Sequence, residues 1–266
     1  MNTKQLWRAT GLNICLSVLI YAGLLCLLWL AEYVFPSLKG ELLHFDDLAW
    51  VVGIPASVIG VAYILSIKNP QNYTGFYAGV CMSALLGVQF YLQGRGASPV
   101  YYYDSVALYF CVFIPFQIKS IINWTKPAEV GEKDEPFTPE FLSMKGMLLS
   151  LLVFVVIVVA DYLAGTYLLS KEPEALSDRV WVKFFSGLMI ASSVLANFWL
   201  IYRKNDSWIY WLIYSLAGIG LFVILNNIFS IVLFCFFLVI NSMAGIAWIR
   251  STPREKYGWL RCKRVE

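Results

Sequence analysis

Long apolar runs dominate this sequence and restrict its fold more than any other feature. A helix needs about 20 mostly apolar residues to cross the hydrocarbon core of a bilayer, which is about 30 Å thick. Because lipid offers the backbone no hydrogen-bond partners, and the runs lack the alternation of barrel strands, they are predicted to be helices. The expected fold class is all-α, a polytopic membrane protein with eight transmembrane helices. The eight runs are Gly11–Phe35, Leu48–Ile67, Tyr73–Leu92, Val100–Ile122, Met147–Leu169, Phe184–Tyr202, Trp208–Leu225 and Ile228–Ile249.

The composition supports this fold class and excludes several others. The chain is 59% hydrophobic and 14% charged, with a mean hydropathy of +0.67, which is far from the composition of soluble or disordered chains. The net charge of +3 is small and its basic residues lie between apolar runs, so no nucleic-acid partner is expected. Six cysteines fall in no paired spacing and there is one histidine, His44. The cysteines are expected to be buried small apolar residues, and neither a metal site nor a cofactor is expected.

The positions of Lys and Arg between the runs predict the orientation in the membrane. With the N-terminus in the cytoplasm, 15 of the 20 basic residues fall on the cytoplasmic side and 5 fall outside. Because cytoplasmic loops carry the excess of positive charge, both termini are predicted to be cytoplasmic, in the plasma or inner membrane. The first run is too long for a removed signal peptide and lacks its cleavage site, so it is expected to remain as a helix.

The sequence also contains a weak internal repeat. Two segments recur 136 residues later, namely Ala56-Ser57-Val58 and Lys68-Asn69 as Ser192-Ser193-Val194 and Lys204-Asn205. Three more recur 124 residues later, namely Phe110-Cys111, Gln117 and Trp124 as Phe234-Cys235, Asn241 and Trp248. The second and sixth helices both run from outside to inside, so the copies are parallel, as in SWEET-type transporters. Chance similarity between apolar segments is the alternative.

The repeat predicts a seven-helix core of three, one and three helices. Two parallel three-helix repeats are joined by a single helix, and one extra helix precedes them. The expected segments are an N-terminal extra helix and loop (1–46), a first repeat (47–124), an acidic linker with the connecting helix (125–179), a second repeat (180–250) and a basic cytoplasmic tail (251–266).

Three short motifs occur in a fixed order along these helices. They are Gln117-x-x-Ser120-x-x-x-Trp124, Trp208-x-x-Trp211 and Gly245-x-x-Trp248-x-Arg250. With these motifs the chain resembles the PnuC-type vitamin transporters over roughly Leu48–Arg250. Two positions depart from the pattern: Ser215 stands where the family often has Asp or Asn, and Ile121 stands where a tryptophan is common. Both departures remove groups that could contact a ligand.

The resemblance implies a SWEET-like fold, a homotrimer and facilitated uptake of nicotinamide riboside. Relatives carry thiamine, riboflavin or deoxyribonucleosides, and a separate cytoplasmic kinase traps the substrate by phosphorylation. The chain contains neither a Gly-rich phosphate loop nor a catalytic cluster of His, Cys or carboxylates, so it is not expected to be an enzyme. The rival hypotheses are a vitamin-binding subunit that needs a partner, a membrane-embedded enzyme and a structural subunit.

Buried amides are the first candidates for the substrate site. A nucleoside-like vitamin offers a flat ring and sugar hydroxyls, which aromatic faces and amide side chains can bind near the middle of the membrane. Gln117 and Asn241 occupy equivalent places in the two repeats, and each offers a donor and an acceptor. Family resemblance supports Gln117, whereas Asn241 depends on the repeat alone. Hydrogen bonding between helices is the alternative role for both.

Several further side chains are candidates. Trp208, Trp211 and Ser215 are spaced to share a helical face with Tyr214 beside them, although an aromatic belt at the interface explains the tryptophans equally well. Gln89 and Asn197 lie inside the third and sixth helices. The outer mouth of the fourth helix holds Tyr103 and Asp104, either as a gate or as an aromatic belt. Asp161 is the one carboxylate inside a predicted span, and it is a candidate for proton coupling.

Overall fold

The computed structural model of the chain describes residues 3–35, 48–94, 106–125, 138–168, 180–224 and 228–260. These residues form eight helices, which are numbered here in chain order. They are α1 Thr3–Val34, α2 Leu48–Ile67, α3 Gly75–Gly94, α4 Val106–Thr125, α5 Met144–Leu168, α6 Val180–Ile201, α7 Asp206–Ile224 and α8 Ile228–Ser251. Two single 3-10 turns follow α8, at Arg254–Lys256 and Gly258–Leu260.

The described helices confirm the prediction of an all-α, polytopic membrane protein. Seven of them are long and apolar enough to cross a bilayer, and the apolar part of α2, Val51–Ile67, is shorter. Eight crossings, the arrangement of three, one and three helices, and the five segment boundaries remain predictions.

Two local expectations differ from the structure. Helix α1 begins at Thr3 rather than at Gly11 and has 32 residues, or about 48 Å at 1.5 Å per residue, so its charged first turns reach beyond the hydrocarbon core. The expectation of buried cysteines was wrong, because all five that the structure describes are free and exposed. In a membrane protein an outward face meets lipid, which suits a small apolar thiol as well as a core does.

The described chain divides into two compact units, and the first comprises α1, α2 up to Ser66, α3, and α4 up to Ile118. Helix α1 is fixed in this unit by polar contacts. Its Thr10 Oγ1 lies 2.7 Å from Oγ1 of Thr74, and Asn13 Nδ2 donates to Ser66 Oγ at 3.0 Å. Hydrogen bonds of this kind hold helices together where lipid weakens the hydrophobic driving force. The extra helix is therefore an integral part of the first unit.

The second unit comprises residues 67–73 and everything described after Ile118. Here α5 packs against α6, α6 against α7 and α7 against α8. The buried carboxylate of Asp206 starts α7, where it accepts the backbone N–H of Leu142 at 2.7 Å and the indole N–H of Trp259 at 2.6 Å. An ion pair joins Lys204 and Glu140. These bonds fasten the segment before α5 and the C-terminal tail to the turn between α6 and α7.

Helix α4 contains a π-helical turn at Tyr109–Phe113, closed by the bond from Ile114 N–H to Tyr109 O. Pro115 follows directly. A proline inside a helix has no N–H, and its ring clashes with the carbonyl four residues earlier, so a widened turn relieves the crowding. Helix α8 is a regular α-helix over the whole of Ile228–Ser251.

Candidate functional site

Asn241 lies at the centre of a buried polar contact between α7 and α8 in the second unit. Its side chain is 1% exposed, and its Nδ2 donates to Ser215 Oγ at 3.0 Å and to Trp211 O at 3.4 Å. The Ser215 hydroxyl donates to the same carbonyl at 2.9 Å. The Oδ1 of Asn241 accepts no hydrogen bond from any described residue. The contact therefore leaves one buried amide oxygen able to accept a hydrogen bond.

Aromatic side chains surround this contact. Trp211 meets Tyr214 edge to face with ring centroids 5.5 Å apart, and Tyr214 lies 5.4 Å from Phe234. One turn away, Trp208 is 3% exposed, and its indole N–H has no partner among the described residues. The structure thus brings Trp211, Ser215 and Asn241 together, with Tyr214 and Trp208 close by on the same helix.

Gln117 occupies a similar contact in the first unit. It is 1% exposed, and its Nε2 donates to the hydroxyl of Tyr63 at 3.2 Å. Its amide packs against Gly79, where an added Cβ would lie only 2.7 Å from Oε1. Gly79 is therefore needed for the glutamine to approach α3 this closely.

The two amide contacts fall at positions that the predicted repeat makes equivalent. Gly79 and Ser215 are 136 residues apart, while Gln117 and Asn241 are 124 residues apart, which are the two offsets found in the sequence. In each unit, the residue on the second helix of the predicted repeat (Gly79 or Ser215) contacts the amide on the third helix. The longer amide side chain is paired with glycine and the shorter one with serine, so the two pairs have similar total side-chain volumes. This agreement supports the alignment of the two copies.

The remaining candidates lie elsewhere. Asn197 in α6 is buried, and its Nδ2 donates to Ser193 O of its own helix at 2.8 Å. Gln89 packs against Gly53 of α2. Asp161 of α5 is half-buried and faces α6, where a Cβ on Gly187 would lie 3.4 Å from Oδ2. Tyr103 and Asp104 lie outside the described residues.

Sequence reasoning missed several partners of the site. Tyr63 and Gly79 were not identified, because a tyrosine and a glycine in an apolar run carry no signal for the helix that they will face. Trp124 and Trp248 were noticed as motif residues, but their contacts were not foreseen. The Trp124 indole donates to Leu200 O at 3.1 Å, and the Trp248 indole donates to Ile67 O at 2.8 Å.

A buried cation lies beside Trp124. The guanidinium carbon of Arg203 is 4.4 Å from the centroid of the Trp124 ring, and Nη2 donates to Trp124 O at 3.2 Å. Burial lowers the pKa of Arg203 from its usual value to about 10, so the side chain stays charged at neutral pH. The contact is a cation–π interaction that burial strengthens.

The fold and these contacts define a class of protein: a polytopic helical membrane protein with neutral hydrogen-bonding groups inside its bundle. The family model described as "nicotinamide mononucleotide transporter" matches residues 50–250. The chain therefore belongs to the nicotinamide mononucleotide transporter family.

A crystal structure of the vitamin B3 transporter PnuC has the same fold. Its TM-score is 0.55 at 17% sequence identity, and the match covers 88% of this chain and 91% of that chain. A comparison with curated proteins found no match. The resemblance to PnuC-type transporters is confirmed, and so is the prediction of a membrane transporter rather than an enzyme.

Proposed function

We propose that this chain is a facilitated-diffusion uptake carrier for nicotinamide riboside or a related nucleoside-like vitamin. Membership of the nicotinamide mononucleotide transporter family over residues 50–250 carries the proposal. The fold shared with the vitamin B3 transporter PnuC supports it. Deoxyribonucleosides, thiamine and riboflavin are the alternative substrates.

The contact around Asn241 supplies the groups that such a ligand needs. The Oδ1 of Asn241, which accepts no hydrogen bond from the described residues, can accept one from a sugar hydroxyl. The rings of Trp211 and Tyr214 offer faces for a flat base. In the first unit Gln117 is the equivalent amide. We assign substrate binding to these residues first. Trp208, Ser215, Gln89 and Asn197 are the further candidates.

The charge of these groups favours a riboside over a mononucleotide. The described hydrogen-bond partners of Asn241 are a serine hydroxyl and a backbone carbonyl, both neutral. A phosphate held in a low-dielectric interior needs a cation or several converging donors. A neutral or singly charged ligand therefore fits the contact around Asn241 better than a phosphorylated one.

The proposed mechanism is alternating access, produced by rocking of the two three-helix bundles. The distribution of Lys and Arg supports cytoplasmic positions for both termini. A carrier without an energy source only equalises concentrations, so a separate cytoplasmic kinase would trap the vitamin in the cell. Proton coupling is the alternative to facilitated diffusion: a protonophore that reduced uptake would contradict uncoupled transport and would implicate Asp161. We also propose a homotrimer, which native mass spectrometry of the detergent-solubilised protein can test.

Ligand binding to the purified protein tests the proposed function. A ligand that binds only the folded form stabilises it by about 2.7 kcal/mol at a hundredfold excess over its Kd. We expect nicotinamide riboside to raise the apparent melting temperature more than nicotinamide mononucleotide does. We expect Asn241→Ala to weaken riboside binding by about tenfold or more, because a sugar hydroxyl would lose its acceptor.

Asn205→Ala is the matched control. Asn205 is also a buried asparagine of the second unit, 2% exposed, and its Nδ2 donates to Thr252 Oγ1 at 2.7 Å. We expect this variant to melt earlier but to bind with unchanged affinity. Equal affinity in Asn241→Ala and wild type would remove Asn241 from the site. If none of the four vitamin classes binds the wild-type protein, the structural-subunit hypothesis is favoured. Binding without uptake in liposomes would indicate a partner-dependent subunit.

A further inference from the structure

Two repeat-related tryptophans join four helix ends within the second unit. Trp124 near the end of α4 donates its indole N–H to Leu200 O near the end of α6. Trp248 near the end of α8 donates its indole N–H to Ile67 O at the end of α2. Each tryptophan thus comes from the third helix of one predicted repeat and bonds the first helix of the other. The two bonds are reciprocal.

The side chains around these bonds form a closed aromatic cluster, named here the indole cluster and consisting of Trp124, Trp208, Trp248 and Arg203. The rings of Trp124 and Trp248 lie 5.9 Å apart, and those of Trp208 and Trp248 lie 5.5 Å apart. Arg203 covers the Trp124 ring. All four side chains are at most 9% exposed, so the cluster leaves little room for water at this end of the helices.

The indole cluster lies two helical turns from the candidate site along α8. Seven residues separate Asn241 from Trp248, which is about 10.5 Å along a helix. Gly245 lies between them, and a Cβ there would be 3.2 Å from Cβ of Trp208. A ligand bound at Asn241 would therefore have the indole cluster between itself and the end of α8.

The acceptors of both bonds suit a reversible contact. The last four carbonyls of an α-helix have no partner within the helix. Leu200 O and Ile67 O belong to this group, because α6 ends at Ile201 and α2 ends at Ile67, and Leu200 O also accepts the N–H of Arg203 in the following turn at 3.0 Å. Water can replace the indole on such a carbonyl without breaking the helix. Separating these ends would thus exchange two indole bonds for two water bonds and would leave the helices intact.

We propose that Trp124 and Trp248 form the inner gate of the carrier, and that their two indole bonds break together when the pathway opens toward the cytoplasm. The inference rests on the proposed transport function and on the orientation in which α2, α4, α6 and α8 all end on the cytoplasmic side. A permanent structural contact is the competing explanation. A gate predicts that weakening either bond increases access to the interior from the cytoplasmic side.

Cysteine labelling distinguishes the two explanations. Ala244 is 0% exposed and lies between Asn241 and Trp248, so Ala244→Cys places a thiol behind the gate. In inside-out vesicles, the labelling rate by a charged, membrane-impermeant thiol reagent is measured, and the rate of the chain without this substitution is subtracted. Trp124→Phe and Trp248→Phe keep an aromatic ring and remove one indole N–H each. We expect each variant to raise the labelling rate by about threefold to tenfold, which is the fold-change that corresponds to the loss of one hydrogen bond.

Trp199→Phe is the matched control for this experiment. It also removes an indole N–H bond, from Trp199 to Ser150 Oγ at 2.8 Å, but the bond joins α6 to α5 outside the indole cluster. Its labelling rate should equal that of the parent. Unchanged labelling in both gate variants, or an equal increase in Trp199→Phe, would overturn the gate. If a gate variant does not fold, Arg203→Gln replaces it in the experiment, because this substitution removes the bond to Trp124 O. We expect Arg203→Gln to give a smaller increase in the labelling rate. A labelling rate equal to that of the parent would overturn the gate.

Riboside binding is measured on the same variants as an independent readout. Failure of the wild-type protein to bind any candidate vitamin would contradict the proposed function, whatever the labelling rates are. Normal binding together with unchanged labelling in the gate variants would contradict the gate alone.

Discussion

The two buried amides show how one contact can be built in two ways. In the first unit the long side chain of Gln117 packs against Gly79 and reaches the hydroxyl of Tyr63 on α2. In the second unit the shorter Asn241 stays within the α7–α8 contact and bonds Ser215. At positions that the predicted repeat makes equivalent, the contact keeps its place and roughly its volume, while the hydrogen-bond partner differs. Equivalent positions in the copies are therefore not equivalent in chemistry.

The helices that carry the two amides differ as well. Helix α4 has a π-helical turn before Pro115, two residues from Gln117, whereas α8 is regular. A π-helical turn takes up one extra residue and changes the face on which the following residues lie. The position of Gln117 therefore depends on a local irregularity, and the position of Asn241 does not.

Exchanging the sizes of the paired residues should give the largest effect on stability. Gly79→Ser puts a Cβ within 2.7 Å of the Gln117 amide, and such overpacking costs about 1 to 3 kcal/mol. We expect a clear fall in the apparent melting temperature. The double variant Gly79→Ser with Gln117→Asn recreates the pair found in the second unit, and it should recover most of the loss. A double variant no more stable than Gly79→Ser would show that the two contacts do not correspond.

Removing the proline should have the next largest effect, and on binding rather than on stability. Pro115→Ala restores an N–H and removes the ring, so α4 can return to a regular helix and move Gln117 away from Gly79. We expect riboside affinity to fall by about threefold to tenfold, or roughly 1 kcal/mol. The equivalent position in α8 is Val239, 124 residues later and 59% exposed. Val239→Ala should leave affinity unchanged, and an equal loss in both variants would contradict the difference between the helices.

Deleting one hydroxyl from each contact should give the smallest effects. Tyr63→Phe removes the hydroxyl that accepts from Gln117 Nε2 at 3.2 Å, and a hydrogen bond of this kind is worth about 0.5 to 1.5 kcal/mol. Ser215→Ala removes one acceptor of Asn241, but Trp211 O remains within 3.4 Å. Thermal melting should therefore show only a small loss for Ser215→Ala, no larger than the loss for Tyr63→Phe. The reverse order would mean that Asn241 depends on Ser215 more than the geometry indicates.

Part of this structure could be predicted from sequence because lipid imposes simple rules. An amide in an apolar run must be buried or functional, and Gln117 and Asn241 are indeed buried. The spacing of Trp208, Trp211 and Ser215 predicted a common face, and all three are buried. The predicted repeat pairs these two amides, and each contacts the preceding helix of its own unit.

The other features of the structure could not be predicted from the sequence, because they depend on which helices face each other. Tyr63 and Gly79 matter only because α2 and α3 contact α4 at those positions. The spacing of apolar residues along a single helix does not predict which residues of another helix it will contact. The buried carboxylate of Asp206 holds Leu142 and Trp259, which come from segments that look like loops in sequence. Pro115 was visible in the chain, but a proline in a membrane helix can produce a kink or a π-helical turn, and only packing decides between them.

Carrier function is tested by uptake of radiolabelled nicotinamide riboside into proteoliposomes that contain the purified chain alone. We expect saturable uptake that stops when the internal and external concentrations are equal. A protonophore should not change this uptake, and Asn241→Ala should reduce it. Uptake at the rate of protein-free liposomes, by a wild-type chain that is folded and inserted, would contradict carrier function.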